Sequence, residues 1–218
     1  MKLPRLVVFD MDGTLVNNYE FHLKAWGAVC EELGHPRSRE EIIRDLHGTN
    51  EEICKVFFGE MTREESDRIA MRKEALYREL YAPFLAPVDG LIPFLDRLKN
   101  AGTVCAIATM GNRANTQFIV DGLGLKSYLS AVTTAEEVER GKPHPDVFLM
   151  SKEKCLPGSM LTTQDFWVFE DTSSGVRAGV AAGATVLGMR TSKSHDELVE
   201  HGASQTFQDF VDVLKSIA

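Results

Sequence analysis

Leu6-Val7-Val8-Phe9-Asp10-Met11-Asp12-Gly13-Thr14-Leu15 decides how the rest of the chain is read. An apolar run rich in β-branched residues leads straight into two aspartates one residue apart, and a glycine and a threonine follow. The run reads as a buried strand, and the aspartates fall where its carboxyl end passes into a loop. In open α/β sheets, ligands bind at that end. Two carboxylates held there can divide two jobs, one attacking while the other handles protons, provided a cation tempers their charge. The plainer alternative is an Asp-Gly turn after an ordinary strand, and the stretch alone does not separate the two.

Beyond Gly13 and Thr14 the period turns helical. Leu23, Trp26, Val29 and Leu33 share a face between Asn18 and Leu33, and Gly34 supplies a stop. Three capping-box signatures follow: Ser38 with Glu41, Thr49 with Glu52, and Thr62 with Glu65. Each pairs an N-cap hydroxyl with a carboxylate three residues on, which satisfies orphan amides at a helix start. Apolar residues recur after each box: Ile42, Ile43 and Leu46; Ile53, Val56 and Phe57; Ile69, Leu76 and Leu80. Residues 17–84 therefore read as a bundle of four helices with no strand pattern.

Pro83, Pro87, Val88, Asp89 and Gly90 mark a return, after which the chain alternates. A helix over Leu91–Lys99 precedes the strand Thr103–Ala108. A helix through Asn115–Val120 precedes the short strand Ala131–Thr134. A helix starting near Pro145, where proline suits the first turn, precedes the strand Phe166–Phe169. A helix from about Ser174 precedes the strand Thr185–Gly188, and Gln205–Phe207 suits an edge strand. Such alternation builds an α/β fold, a doubly wound parallel sheet covered by helices on both faces. The first strand belongs to that sheet. The domains expected are a core of residues 1–16 and 85–218 and a helical insertion of 17–84, able to hang over the strand ends as a lid. Its hinges would lie near Val16-Asn17 and Ala82–Pro87.

Bulk properties narrow the partners. The chain has 218 residues, 44% of them hydrophobic, and a net charge of −8. There is no long basic run, which argues against nucleic acid. Cys30, Cys54, Cys105 and Cys155 are scattered without CxxC spacing. They suggest neither a zinc site nor a disulfide framework, but reduced thiols of a cytoplasmic protein, with Cys105 in the core. Met1-Lys2-Leu3-Pro4-Arg5 and the strand after it are too brief and too charged for a signal peptide or a membrane span. Nothing in the pattern demands more than a monomer.

The strand ends carry the polar residues. The first gives Asp10 and Asp12, the second Thr109 followed by Gly111-Asn112, and the fourth Glu170 and Asp171; the loop before the helix at Pro145 adds Gly141-Lys142-Pro143. Four acids converging in a cleft repel one another without a counter-charge, and ligands that are all oxygen suit a hard cation, Mg²⁺ above all. A lysine and a hydroxyl beside them suit a phosphoryl group.

On these residues the sequence resembles the haloacid dehalogenase superfamily of phosphatases and phosphomutases. The signature positions are Asp10-Met11-Asp12-Gly13-Thr14, Thr109, Lys142, and Glu170-Asp171 followed by Thr172-Ser173-Ser174-Gly175. The likeness implies that Asp10 is a nucleophile forming an aspartyl-phosphate and that Asp12 is the general acid and base. Thr109 and Lys142, with Gly111 and Asn112 beside them, would hold the phosphoryl oxygens. Mg²⁺ would fall to Asp10, the backbone carbonyl of Asp12, Asp171 and, in support, Glu170. A dehalogenase is disfavoured, because that branch lacks an aspartate at the place of Asp12. His144 departs from the small residue expected between the two prolines, and it reads, like His35 and His47, as a surface histidine.

Tyr19–Trp26 is similar to the β-phosphoglucomutase subgroup, which includes sugar-phosphate phosphatases. There the histidine at the place of His22 helps couple lid closure to acid–base work; the alternative is a histidine packed beside Trp26. Leu46-His47-Gly48-Thr49-Asn50-Glu51 looks like the subgroup's substrate-facing turn. A mutase must grip a second phosphate, for which the subgroup uses an arginine shortly after that turn. This chain has Glu51, and an acid does not bind a phosphate. Arg113, at a helix start, is the other cation that could reach substrate, or it is simply exposed. The expected activity is thus a Mg²⁺-dependent phosphatase acting on a small phosphomonoester, a sugar phosphate by preference. A β-phosphoglucomutase-like isomerase is the alternative, and a non-catalytic module on the same fold comes third.

Overall fold

The computed structural model describes residues 2–46 and 49–217. Its six strands are β1 (Leu6–Phe9), β2 (Val104–Ala108), β3 (Ala131–Thr133), β4 (Phe166–Glu170), β5 (Thr185–Met189) and β6 (Gln205–Phe207). They form one parallel sheet in the order β3-β2-β1-β4-β5-β6. The strand read first is central: Leu6 to Phe9 pair with Val104 to Ile107 on one side and with Phe166 to Phe169 on the other. Strand order reverses beside β1, and in such sheets the crevice for ligands opens at that reversal, beyond the carboxyl ends.

Helices cover both faces, as the continuous apolar runs of the strands require. Leu6 and Val8 enter a core with Val147 and Phe148 of α7 (Asp146–Cys155) and Val176 and Ala178 of α8 (Ser173–Ala181). Phe9 faces the opposite way. It stacks on Phe169 at 5.2 Å and meets Phe94 of α5 (Leu91–Asn100) and Phe210 of α10 (Phe210–Ser216) edge-on at 6.2 and 6.0 Å. Period-two alternation along β1 thus feeds two separate cores. The remaining helices of this part are α6 (Arg113–Gly122) and α9 (His195–Glu200). Pro145 stands one residue before α7, at its N-cap rather than within its first turn.

The chain divides into two compact units, Met1–Asn17 with Ala86–Ala218, and Asn18–Leu85. In the first, Val88 N–H donates to the Leu15 carbonyl at 2.8 Å, which ties the loop after β1 to the segment that leads into α5. The second holds α1 (Tyr19–Glu32), α2 (Arg39–Asp45), α3 (Asn50–Phe58) and α4 (Arg63–Tyr81). All three capping boxes form, with Ser38, Thr49 and Thr62 each accepting from the amide three residues on. The apolar periodicity holds in part. Leu23, Trp26, Val29, Ile53 and Phe57 are buried, whereas Val56 is 55% exposed and Leu33, just past α1, is 45% exposed. Ile53, Cys54 and Phe57 make up the inward face of α3, and Val56, about 100° back from Phe57 around the helix, falls outside it.

The cysteines are free thiols; Cys30, Cys54 and Cys105 are buried and Cys155 is half-buried. Burial pushes the Cys105 thiol up to about 12 and the Cys30 thiol to about 11, which leaves both inert. None of the described helices is long and apolar enough to cross a membrane.

Candidate active site

The sequence-predicted residues come from separate crossovers. Asp10 directly follows β1, Thr109 directly follows β2, Glu170 ends β4 and Asp171 follows it. Lys142 lies in the loop ahead of α7. Because β2, β1 and β4 are adjacent and parallel, their carboxyl ends converge. Asp10, Thr109, Glu170 and Asp171 are all buried.

Lys142 joins the strands. Its Nζ donates to Asp10 Oδ1 at 2.5 Å, to Glu170 Oε1 at 2.7 Å and to the Ala108 carbonyl at 3.4 Å. Glu170 Oε2 accepts from both the amide and the hydroxyl of Thr172, at 2.8 and 2.9 Å, so both of its oxygens are engaged by the protein. The carboxylate lies against the first turn of α8, where the helix dipole favours negative charge. Gly175 is what allows it, since a Cβ there would sit 1.7 Å from Glu170 Oε1.

Thr109 Oγ1 accepts from Gly111 N–H at 2.9 Å, which leaves its own O–H able to donate. Gly111 lies between Thr109 and Asp12: a Cβ would meet Thr109 Oγ1 at 3.1 Å and Asp12 Oδ2 at 3.2 Å. Asn112 already has a structural duty, its Oδ1 capping α6 by accepting Asn115 N–H at 2.8 Å.

One carboxylate oxygen each from Asp10, Glu170 and Asp171 lies within 4.8 Å of the others. Asp171 Oδ1 is buried and has no hydrogen-bond partner. Burial raises Asp10 well above the usual carboxylate range; Lys142 pulls it back, while Glu170, Asp171 and Asp12 push it further up. Burial and then Glu170 push Asp171 up to about 7, against the hydrogen bond from Ser192 and the charge of Lys142. Lys142 loses basicity to burial, but Asp10 and Glu170 more than restore it, so it stays protonated. An oxygen-only set with surplus negative charge and an orphaned buried carboxylate oxygen fits a hard divalent cation.

A pH dependence follows. An aspartate in the unfolded chain ionises near 4. Between about 4 and 7, folded metal-free protein therefore keeps a proton on Asp171 that the unfolded chain has lost. Stability falls with rising pH wherever the folded state binds more protons. Removing the charge by Asp171→Asn should thus give a melting-temperature advantage over wild type, both in chelator, that widens across this window and then levels off. A gap independent of pH would contradict the strained carboxylate.

Several residues have other surroundings. His22 lies on α1, stacked on Tyr77 of α4 with centroids 4.0 Å apart, and its Nδ1 is 3.0 Å from Lys73 Nζ. Lys73 is itself buried, 3.0 Å from Glu74 and over the Trp26 ring at 5.5 Å. Arg113 is exposed at the first position of α6, and His35 and His144 are exposed. His47 lies outside the described residues, as does part of the turn from Leu46 to Glu51. Two residues next to the acids have no signal in the opening motifs: Thr191 Oγ1 donates to the Gly13 carbonyl, and Ser192 Oγ donates to Asp171 Oδ2.

A doubly wound sheet that gathers an aspartate pair, a hydroxyl, a lysine and a further acid pair at its carboxyl edge defines a class of hydrolase. A sequence model described as haloacid dehalogenase-like hydrolase matches residues 7–189, and the chain belongs to that family. It is 30% identical to hexitol phosphatase A of Escherichia coli K12 over 88% of this chain and 86% of that one. It is 27% identical to β-phosphoglucomutase of Bacillus subtilis 168, over 85% and 83%. Among solved structures, a family IA, variant 3 hydrolase of Entamoeba histolytica superposes with a TM-score of 0.85, at 27% identity over 95% of this chain and 94% of that one.

Proposed function

We propose that the protein is a Mg²⁺-dependent phosphatase of small phosphomonoesters, sugar phosphates by preference, working through an aspartyl-phosphate on Asp10. The observation that carries this reading is the Asp10–Lys142–Glu170 chain of ion pairs beside the orphaned Asp171 oxygen, with the Thr109 hydroxyl at the neighbouring strand end. Asp10, Asp171 and the backbone carbonyl of Asp12 hold the ion. Glu170, with both oxygens already engaged, serves chiefly to anchor Lys142. When bound, Mg²⁺ supplies positive charge that offsets the acids and the incoming phosphate.

Asp10 then attacks phosphorus in line. Asp12 gives its proton to the leaving sugar oxygen and afterwards takes one from water, which cleaves the acyl phosphate. Lys142 and the Thr109 hydroxyl donate to the phosphoryl oxygens, and Gly111 and Asn112 form the adjoining wall. A carboxylate approaching a phosphate dianion meets like-charge repulsion, so both cations are needed. Substrate choice is assigned to the helical unit, on whose α1 His22 lies.

The likeness to hexitol phosphatase A supports hydrolysis of a phosphorylated polyol or sugar. The likeness to β-phosphoglucomutase keeps isomerisation as the second reading. Glu51 weighs against it, being an acid already paired with Lys55 at 2.9 Å. A phosphate-release screen over hexose, pentose and triose phosphates should show turnover that chelation removes and Mg²⁺ restores. Asp12→Asn should slow it by about 10²- to 10⁴-fold, the usual worth of a general acid or base. Conversion of β-glucose 1-phosphate to glucose 6-phosphate with little free phosphate would establish the mutase instead.

A further inference from the structure

We propose that Ser192 is a positioning residue for the metal-binding carboxylate: its hydroxyl fixes Asp171 Oδ2 and so reserves Oδ1 for the cation. The inference rests on the reading of Asp171 as a ligand. Asp171 has two chemically equivalent oxygens in very different surroundings. Oδ2 accepts from Ser192 Oγ and lies against the bare α-carbon of Gly13, where a Cβ would come within 2.1 Å of it. Oδ1 is buried with no partner. Rotating the carboxylate by half a turn would exchange these oxygens, and the Ser192 hydroxyl is what distinguishes them.

The neighbouring Thr191 holds the adjoining loop. Its hydroxyl donates to the Gly13 carbonyl, so one turn holds both the loop of the aspartate pair and the acid after β4. That turn is itself fixed at both ends. Arg190 N–H donates to the Phe207 carbonyl of β6 at 2.8 Å, and Ser194 opens α9 with a capping box to Glu197. The β5 crossover thereby reaches a site whose recognised residues all come from β1, β2, β4 and the loop before α7. A hydrogen bond to the far oxygen of a metal ligand orients it, and losing such a partner commonly costs about 10- to 100-fold in metal affinity.

The test is Mg²⁺ binding to the purified full chain by titration calorimetry, with Mn²⁺ binding followed by electron paramagnetic resonance as a second probe. Ser192 is exposed, so Ser192→Ala removes one oxygen without opening a core cavity. It should weaken binding of both ions by about 10- to 100-fold while the metal-free variant still unfolds cooperatively as a folded protein. Ser192→Thr, which keeps the hydroxyl, should restore affinity. At saturating Mg²⁺, KM for substrate should match wild type. Should the alanine variant fold poorly, Ser192→Cys keeps the volume and weakens the donor, and it should show the same loss. Wild-type affinity in the folded variants overturns the proposal while leaving the phosphatase reading standing. Metal binding by wild type that Asp171→Asn leaves intact overturns both, because Asp171 is then no ligand.

Discussion

Asp10→Asn should lower phosphate release by about 10⁴-fold or more and leave a folded protein. An amide oxygen can still face Lys142 Nζ, which now stands 2.5 Å from Asp10 Oδ1, but the amide nitrogen cannot displace a leaving group from phosphorus. The fold should survive because the change removes one of several like charges; Glu170, Asp171 and Asp12 all push the Asp10 carboxyl toward its neutral form. Rapid-quench analysis should detect covalent phosphate on wild type and none on the variant. Near wild-type turnover by a purified variant would remove the nucleophile assignment, and the proposed mechanism with it.

Lys142→Met should cost both activity and stability, which distinguishes it from Asp10→Asn. Its ammonium is almost fully buried, between Asp10 Oδ1 and Glu170 Oε1. Removing one partner of a buried ion pair leaves charge uncompensated, at a cost of about 3–5 kcal/mol. Uptake of a proton by Asp10, already poised toward its neutral form, should recover part of that loss at low pH. Added Mg²⁺ should recover part of it at neutral pH by supplying positive charge to the same acids. Arginine should not substitute, since a planar guanidinium cannot place one nitrogen between two carboxylates and a carbonyl as a compact ammonium does. Equal stability of wild type and Lys142→Met in chelator, by denaturant unfolding, would show that the lysine does not hold the cluster together.

Much of the fold is legible because its signals are local. The capping boxes at Ser38, Thr49 and Thr62 join residues three apart, and all three form as written. The run before Asp10 is apolar at every position because both faces of its strand are covered, so its pattern does not depend on register. Two C-terminal helices, α9 and α10, escape the same reading. The Ser194–Glu197 box carried a usable signal for α9, but the short segment has little apolar periodicity to join it to. Lys73 shows the converse: between Ile69 and Leu76 on the apolar face of α4 it looks like an interruption, and only the packed unit shows it held by Glu74 and against His22.

The sequence by itself determined the parallel α/β class and named the chemical residues, Asp10, Asp12, Thr109, Lys142, Glu170 and Asp171, because all but Lys142 stand at or just past the end of a strand whose pattern is short-range, and Lys142 stands in the loop before a helix marked by Pro145. Only the tertiary structure decided which of them touch. Lys142 lies 132 residues from Asp10 along the chain, and the two meet because β2, β1 and β4 are neighbours in the sheet. Which oxygen of Asp171 is held and which is left over depends on a hydroxyl beyond β5, at an exposed serine without a motif. Hydrophobic periodicity fixes elements one at a time; strand order and the partner of a single oxygen arise only when distant elements are packed together.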